Sequence, residues 1–246
     1  MNSILITVGQ LLFSLIMYAF GTVFFALALI PGIALVMNAW AKTIGMHGFW
    51  RFFILGSSLA GAYFLFGFAL IIIIGLTRII FRLRLKEGDY AIPSWGALNW
   101  ALCGGLHLMI SFTFIDFILL TPFANLLLRL LGAKLGKNVQ INSKFIADAS
   151  LLEIGDNTVI GGSATVICHA VERGKLKLRK VKIGKNVTVG LNAVILPGCE
   201  IGDNALIGAS AVLLKNTKVE PGSIYYGVPA EPIRPHIHNK EKSDNA

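Results

Sequence analysis

The sequence predicts an α-helical membrane region followed by an all-β parallel solenoid. Three observations lead there: a composition too apolar for a water-soluble domain, two long charge-free runs within the first 80 residues, and a strict six-residue period from Leu135 onward. Of 246 residues, 55% are hydrophobic and 14% charged, with a mean hydropathy of +0.70. Soluble domains carry about a quarter charged residues. Six of the twenty-two Lys and Arg lie before Arg129 and sixteen from Arg129 on, which separates a part for lipid from a part for water. With a net charge of +9, the expected partners are membrane lipids and not nucleic acid.

The first run, residues 11–37, precedes Lys42, the first charged side chain, and exceeds the roughly twenty helical residues that cross a bilayer. It predicts one spanning helix bent near Pro31. Ala26 and Ala28 imitate a signal-peptide cleavage site, but the run lacks a basic leader and its apolar core is too long. The second run, residues 52–77, ends in RIIFRLRLKEGDY, where Arg78, Arg82, Arg84 and Lys86 mark a cytoplasmic loop by their positive charge. Residues 1–93 are thus expected to hold two transmembrane helices and a basic loop in a multi-pass protein of the cytoplasmic (inner) membrane.

A third apolar stretch, 94–134, would export everything after it if it crossed straight. It is read as a re-entrant or interfacial helical pair, broken around Gly104 and Gly105 or around Thr121 and Pro122, with Trp95 and Trp100 at headgroup level. His107 and Asp116 within it are ionisable at membrane depth, the mark of a transport path or of groups satisfied locally.

From Leu135 the period is six. Ile183, Val189, Ile195, Ile201, Ile207, Leu213, Val219 and Tyr225 repeat without a slip, and four places after each come mostly small residues, from Val187 and Ala193 to Pro229. Neither a helix nor a simple strand alternation gives that spacing. A solenoid does, with one short strand and turn per hexad and three hexads per triangular coil. Leu135, Ile141, Ile154, Ile160 and Val166 form an upstream block with one extra residue between Ile141 and Ile154. Between the blocks, Val166 to Ile183 is seventeen residues where three hexads need eighteen. The intervening ICHAVERGKLKLRKVKIG is therefore an excursion, and excursions from rigid scaffolds tend to carry function.

Residues 135–234 resemble the left-handed parallel β-helix, or hexapeptide-repeat, acyltransferases. VKIGKNVTVGLNAVILPGCEIGDNALIGASAV and YYGVPAEPIR are similar to that family's terminal coils and closing turn. In its galactoside and maltose O-acetyltransferase branch a catalytic histidine precedes a basic loop, the position of His169. Over nearly the whole chain, FRLRLKEGDY, LTPFANLLLRLLGAKLGKNV and the histidine loop resemble, in that order, the C-terminal membrane region of polylysine-synthetase-like proteins. The likeness implies a homotrimer with sites between neighbouring β-helices; residues 235–246 are expected to form a polar tail.

The implied chemistry is acyl transfer from a thioester. Histidine suits the general base at neutral pH. A carboxylate on its second ring nitrogen would orient it, with Glu172 and Asp148 as candidates, the galactoside branch carrying asparagine at the latter position. A thiolate route through Cys168 is disfavoured because neighbours in a strand face opposite ways. Cys103, Cys168 and Cys199 are scattered without disulfide or metal spacing, which fits a reducing compartment. Lys175 and Lys177 alternate with Leu176 and Leu178, giving an arm with one cationic edge that would meet headgroups or coenzyme A phosphates. The resemblance adds Lys215 and Arg234 as donor contacts, whereas Glu231 stands where that branch is often basic. No permanent cofactor is implied; the donor is acyl-CoA or an acyl-carrier-protein thioester. Two other functions stand beside this: an amide-forming transferase fed by a carrier protein or synthetase partner, and a non-catalytic trimeric scaffold or transporter.

Overall fold

A computed structural model describes residues 3–233. Helix α1 (Ser3–Lys42) and helix α2 (Phe49–Ile80) form an antiparallel hairpin, and both are long and apolar enough to cross a membrane. Pro31 sits inside α1. Small residues let the two helices approach: Gly32 lies against Ala62 and Gly61 against Leu35, while Phe25 meets Phe66 edge-on at 5.7 Å.

Helix α3 (Trp95–Ser111) starts at Ser94, whose hydroxyl accepts from the Ala97 amide. It runs unbroken through Gly104 and Gly105, so the break expected there is absent; a helical glycine costs only about 1 kcal/mol. The chain turns at Phe112–Thr121, passing a short 3₁₀ turn at Ile115–Phe117. Helix α4 (Pro122–Leu130) then begins, with Thr121 as cap and Pro122 in the first turn. The turn seats on α2, where Leu70, Ile71 and Ile74 are buried and Gly67 leaves room for the ring of Phe114.

Hexads stack in three parallel sheets. Leu135, Ile154, Ile183, Ile201 and Val219 share one register; Ile141, Ile160, Val189, Ile207 and Tyr225 a second; Val166, Ile195 and Leu213 a third. The aliphatic residues point inward and, apart from the end-coil Leu135 and Tyr225, are buried. Corners need left-handed backbone, and Asn138, Asn157, Asn186 and Asn204 supply it at φ 54 to 60° while hydrogen-bonding in a ladder at 3.1–3.3 Å. On the first face Lys134, Glu153, Lys182, Glu200 and Lys218 alternate in sign from coil to coil, with ion pairs of 2.9 and 2.7 Å at Lys134–Glu153 and Lys182–Glu200.

The excursion is not a slip of one residue. Later coils repeat at eighteen residues, but Asn157 meets Asn186 twenty-nine residues on, so eleven residues leave the solenoid and the stack resumes in register. They fold back as a hairpin, His169–Glu172 against Lys175–Leu178, closed by Arg173 and Gly174 at φ 48 and 72°. A strand from the basic loop, Gly88–Ala91, pairs antiparallel with Lys175–Leu178 and makes a three-stranded sheet. Arg179 clamps this junction through Asp89 at 2.6 Å and the Gly88 carbonyl at 3.2 Å. Leu176 and Leu178 are buried; Lys175 is exposed.

The contact between Gly67 and Phe114 gives a direct test. A methyl group at Gly67 would overlap the ring, and overpacking costs about 1–3 kcal/mol, so Gly67→Ala should melt earlier than wild type in detergent. Gly104→Ala, where an added Cβ meets no atom within 4 Å, should melt at or above wild type. Equal melting of the two variants would remove the Phe114 turn from its seat on α2.

Candidate active site

His169 is the first residue of the excursion hairpin, leaving the third face where the stack is interrupted. Its Nδ1 lies 2.6 Å from Oδ2 of Asp148. An ionised carboxylate only accepts, so Nδ1 carries the proton, and in the neutral imidazole Nε2 then keeps its lone pair. Asp148 comes from the coil with the extra residue. It adopts the left-handed conformation at φ 57° and ψ 42°, just before a 3₁₀ turn at Ala149–Leu151. Its side chain is 4% exposed, against 28% for His169.

A buried carboxylate requires donors, and Asp148 has three. Besides His169, the Cys168 amide donates to Oδ2 at 3.2 Å and the Trp100 indole N–H to Oδ1 at 2.9 Å. The Trp100 ring also packs on the imidazole, centroids 4.9 Å apart. Trp100 thus has its partner inside the protein, whereas Trp95 is exposed. Only an unpaired indole N–H hints at such a role, and the sequence does not say which partner it finds.

Of the two orienting candidates, the structure brings Asp148 to His169. Glu172 lies on the other face of its strand, by the two-residue alternation, and is held by Lys177 at 3.0 Å and by Lys215. Lys177 and Lys215 are thus occupied by a carboxylate and are not a free cationic edge; Lys175 remains exposed. Arg234 and the tail 235–246 lie outside the described residues. Cys168 is fully buried with its Sγ toward the Leu151 carbonyl, and burial pushes its thiol well up, against a thiolate role. Asp116 is paired with Lys144 at 2.8 Å and does not meet His107. Among the described residues no group of three His, Cys, Asp or Glu side chains could hold a metal.

His169, Asp148 and Trp100 line a cavity of about 910 Å³ between the solenoid and helices α1 and α3. One ring nitrogen is fixed by a carboxylate, the other is free, and the imidazole borders a space large enough for a substrate. This arrangement can accept a proton from a bound hydroxyl or amine.

Comparison with known proteins agrees with the repeat. Residues 180–215 match the family described as "Bacterial transferase hexapeptide (six repeats)". Delta-poly-L-ornithine synthetase of Acinetobacter baumannii (strain AB307-0294) is 25% identical over 171 residues, covering 68% of this chain and 13% of that protein. YvoF of Bacillus subtilis (strain 168), named as an acetyltransferase, is 33% identical over 100 residues, covering 38% of this chain and 58% of its own length. The chain thus spans less than two thirds of both curated relatives. Among solved structures, the hexapeptide-repeat-containing acetyltransferase VCA0836 complexed with acetyl coenzyme A, from Vibrio cholerae O1 biovar eltor, superposes with a TM-score of 0.47 at 21% identity, over 65% of this chain and 97% of that one. The six-residue repeat and the matched family model thus agree that residues 180–215 carry the repeat of the bacterial hexapeptide transferases.

Proposed function

We propose that this chain is a membrane-anchored acyltransferase that moves an acyl group from a thioester donor, acyl-CoA, to a hydroxyl or amine, with His169 as general base. The observation that carries the proposal is the 2.6 Å contact between Asp148 and His169 at the edge of a large cavity. Nε2 takes the acceptor's proton as its oxygen or nitrogen attacks the thioester carbonyl. Asp148 stabilises the imidazolium, the C–S bond breaks, and the proton passes to the departing thiolate. Trp100 holds both partners in place. Exposed Lys175 is the remaining candidate of the hairpin for the donor's phosphates.

The wider setting belongs to the same reading. Residues 1–93 carry the membrane hairpin and basic loop, 94–134 re-enter or lie at the interface, and 135–234 form a left-handed β-helix that faces the cytoplasm as a homotrimer, followed by the tail. Outward Leu15, Ile16, Phe52 and Phe53 support the membrane assignment, since they lie on the two helices long and apolar enough to span a bilayer and lipid would cover them. Likeness to Delta-poly-L-ornithine synthetase favours a second reading, an amide-forming transferase taking aminoacyl groups from a carrier-protein thioester.

Loss of a general base commonly costs about 10²- to 10⁴-fold, so His169→Ala should lower kcat by that order at unchanged melting temperature. Asp148→Asn keeps the side-chain volume but can present an amide to Nδ1; it should lower kcat with little change in KM. Full activity in His169→Ala would end the base mechanism. Assaying the purified protein with acyl-CoA and with an aminoacylated carrier protein separates the two donors by which thioester is consumed. For topology, an impermeant thiol reagent should fail to label cysteines placed at Arg84 or Ser223 in intact cells, and labelling from outside would reverse the orientation.

A further inference from the structure

The cavity that reaches His169 exceeds the needs of a small acceptor, and most of its wall is hydrocarbon. Phe13, Met17, Gly21 and Phe25 of α1 line it together with Gly104 and Met109 of α3, and the two helices touch where Met17 reaches Gly105 and Met109 reaches Gly21. Those α1 residues recur at helical spacing and are not fully exposed, whereas Leu11, Leu12, Leu15 and Ile16 point outward. From Phe13 to Phe25 the wall runs about 18 Å at 1.5 Å per residue. Polar groups break this surface at few places. Arg78 donates to the Leu83 and Leu130 carbonyls at 3.1 and 3.3 Å and makes no ion pair among the described residues. A guanidinium without a counter-charge beside such a space is costly unless a ligand supplies one.

Resting on the acyl-transfer reading above, we propose that the acceptor is an anionic membrane amphiphile, its hydrocarbon chain lying between α1 and α3, its headgroup charge on Arg78 and its acceptor hydroxyl or amine at Nε2 of His169. The base must sit beside the acceptor, and the cavity it borders is walled on one side by α1, which is long and apolar enough to cross a membrane. The water-soluble donor arrives from the aqueous side. The acceptor atom bonds the acyl carbon, the C–S bond breaks, and the proton travels through His169 to the thiolate.

The protein in phosphatidylcholine nanodiscs tests this with lysophosphatidylglycerol carrying a photoreactive group in its acyl chain. Label is expected on residues 13–25 of α1 and 101–109 of α3. Gly104→Phe places a ring where an added Cβ meets no protein atom, and should reduce that labelling about tenfold; Gly21→Leu repeats the block from the opposite wall. Label confined to outward residues such as Leu15 and Ile16, or indifferent to both variants, overturns the proposal. In transfer from radiolabelled acetyl-CoA, Gly104→Phe should raise KM for the lysolipid about tenfold while leaving kcat toward chain-free glycerophosphoglycerol within about twofold. If the variant instead slows only palmitoyl-CoA as donor, the chain in the cavity is the donor's and the proposal falls. Preference for lysophosphatidylglycerol over neutral monoacylglycerol should disappear in Arg78→Gln; unaltered preference removes Arg78 as the headgroup contact. Cavity labelling without transfer from any thioester defeats the acyl-transfer reading and leaves the chain site standing, so the two failures are distinguishable.

Discussion

The buried carboxylate of Asp148 is the point on which the arrangement depends. A charge withdrawn from water is tolerated only when donors replace its hydration, and here they come from three separate parts of the chain: Trp100 on α3, the Cys168 amide at the end of a coil, and His169 at the start of the hairpin. Moving any one of these parts would leave the carboxylate short of a partner. Satisfying Asp148 therefore ties helix α3 to the solenoid and selects the imidazole tautomer in the same step.

A rigid frame makes this placement reproducible. In-register stacking of Ile154 on Ile183 and of Ile160 on Val189 resumes after eleven residues have left the coil, so the hairpin is an addition to the repeat and not a distortion of it. The coil with the extra residue before Ile154 differs in what its corner carries: Asp148 stands there at φ 57° with its side chain toward His169. Aspartate accepts left-handed backbone better than most residues, and the galactoside-type asparagine would satisfy the backbone equally while carrying no charge. The ionised form is what orders the imidazole proton onto Nδ1.

The solenoid was legible because its signal is local and repeated: each hexad states its own register, and both irregularities, the extra residue near Asp148 and the lost phase at His169, stand out against that regularity. Those two irregularities are the two sides of the Asp148–His169 pair. Trp100 and the Gly88–Ala91 strand were not legible, since each acquires its role only from partners 48 and about 90 residues away. The four residues of GDYA carry too short an alternation to mark a strand, and an indole in an apolar helix reads as an interfacial anchor. Glu172 was the nearer carboxylate in sequence. Strand alternation turns it away from the imidazole and into the company of Lys177 and Lys215, which also explains why half of the cationic edge is already neutralised.

The Gly88–Ala91 strand ties the loop after α2 to the same hairpin that begins with His169, so the helical part and the catalytic candidate are joined twice: by backbone pairing in the hairpin sheet and by Trp100 at Asp148. Such double attachment resists the hinge motion that a flexible linker would allow between an anchor and a soluble domain. An anchor needed only for localisation has no reason to place an indole on the imidazole. Here α3 supplies part of the wall around His169 together with a hydrogen bond to its orienting carboxylate, and the apolar space beside it opens between helices and not toward water alone. The helical region is therefore a component of the site, and a solenoid cut free of residues 1–134 would keep its stacked coils but lose one of the three donors that hold Asp148.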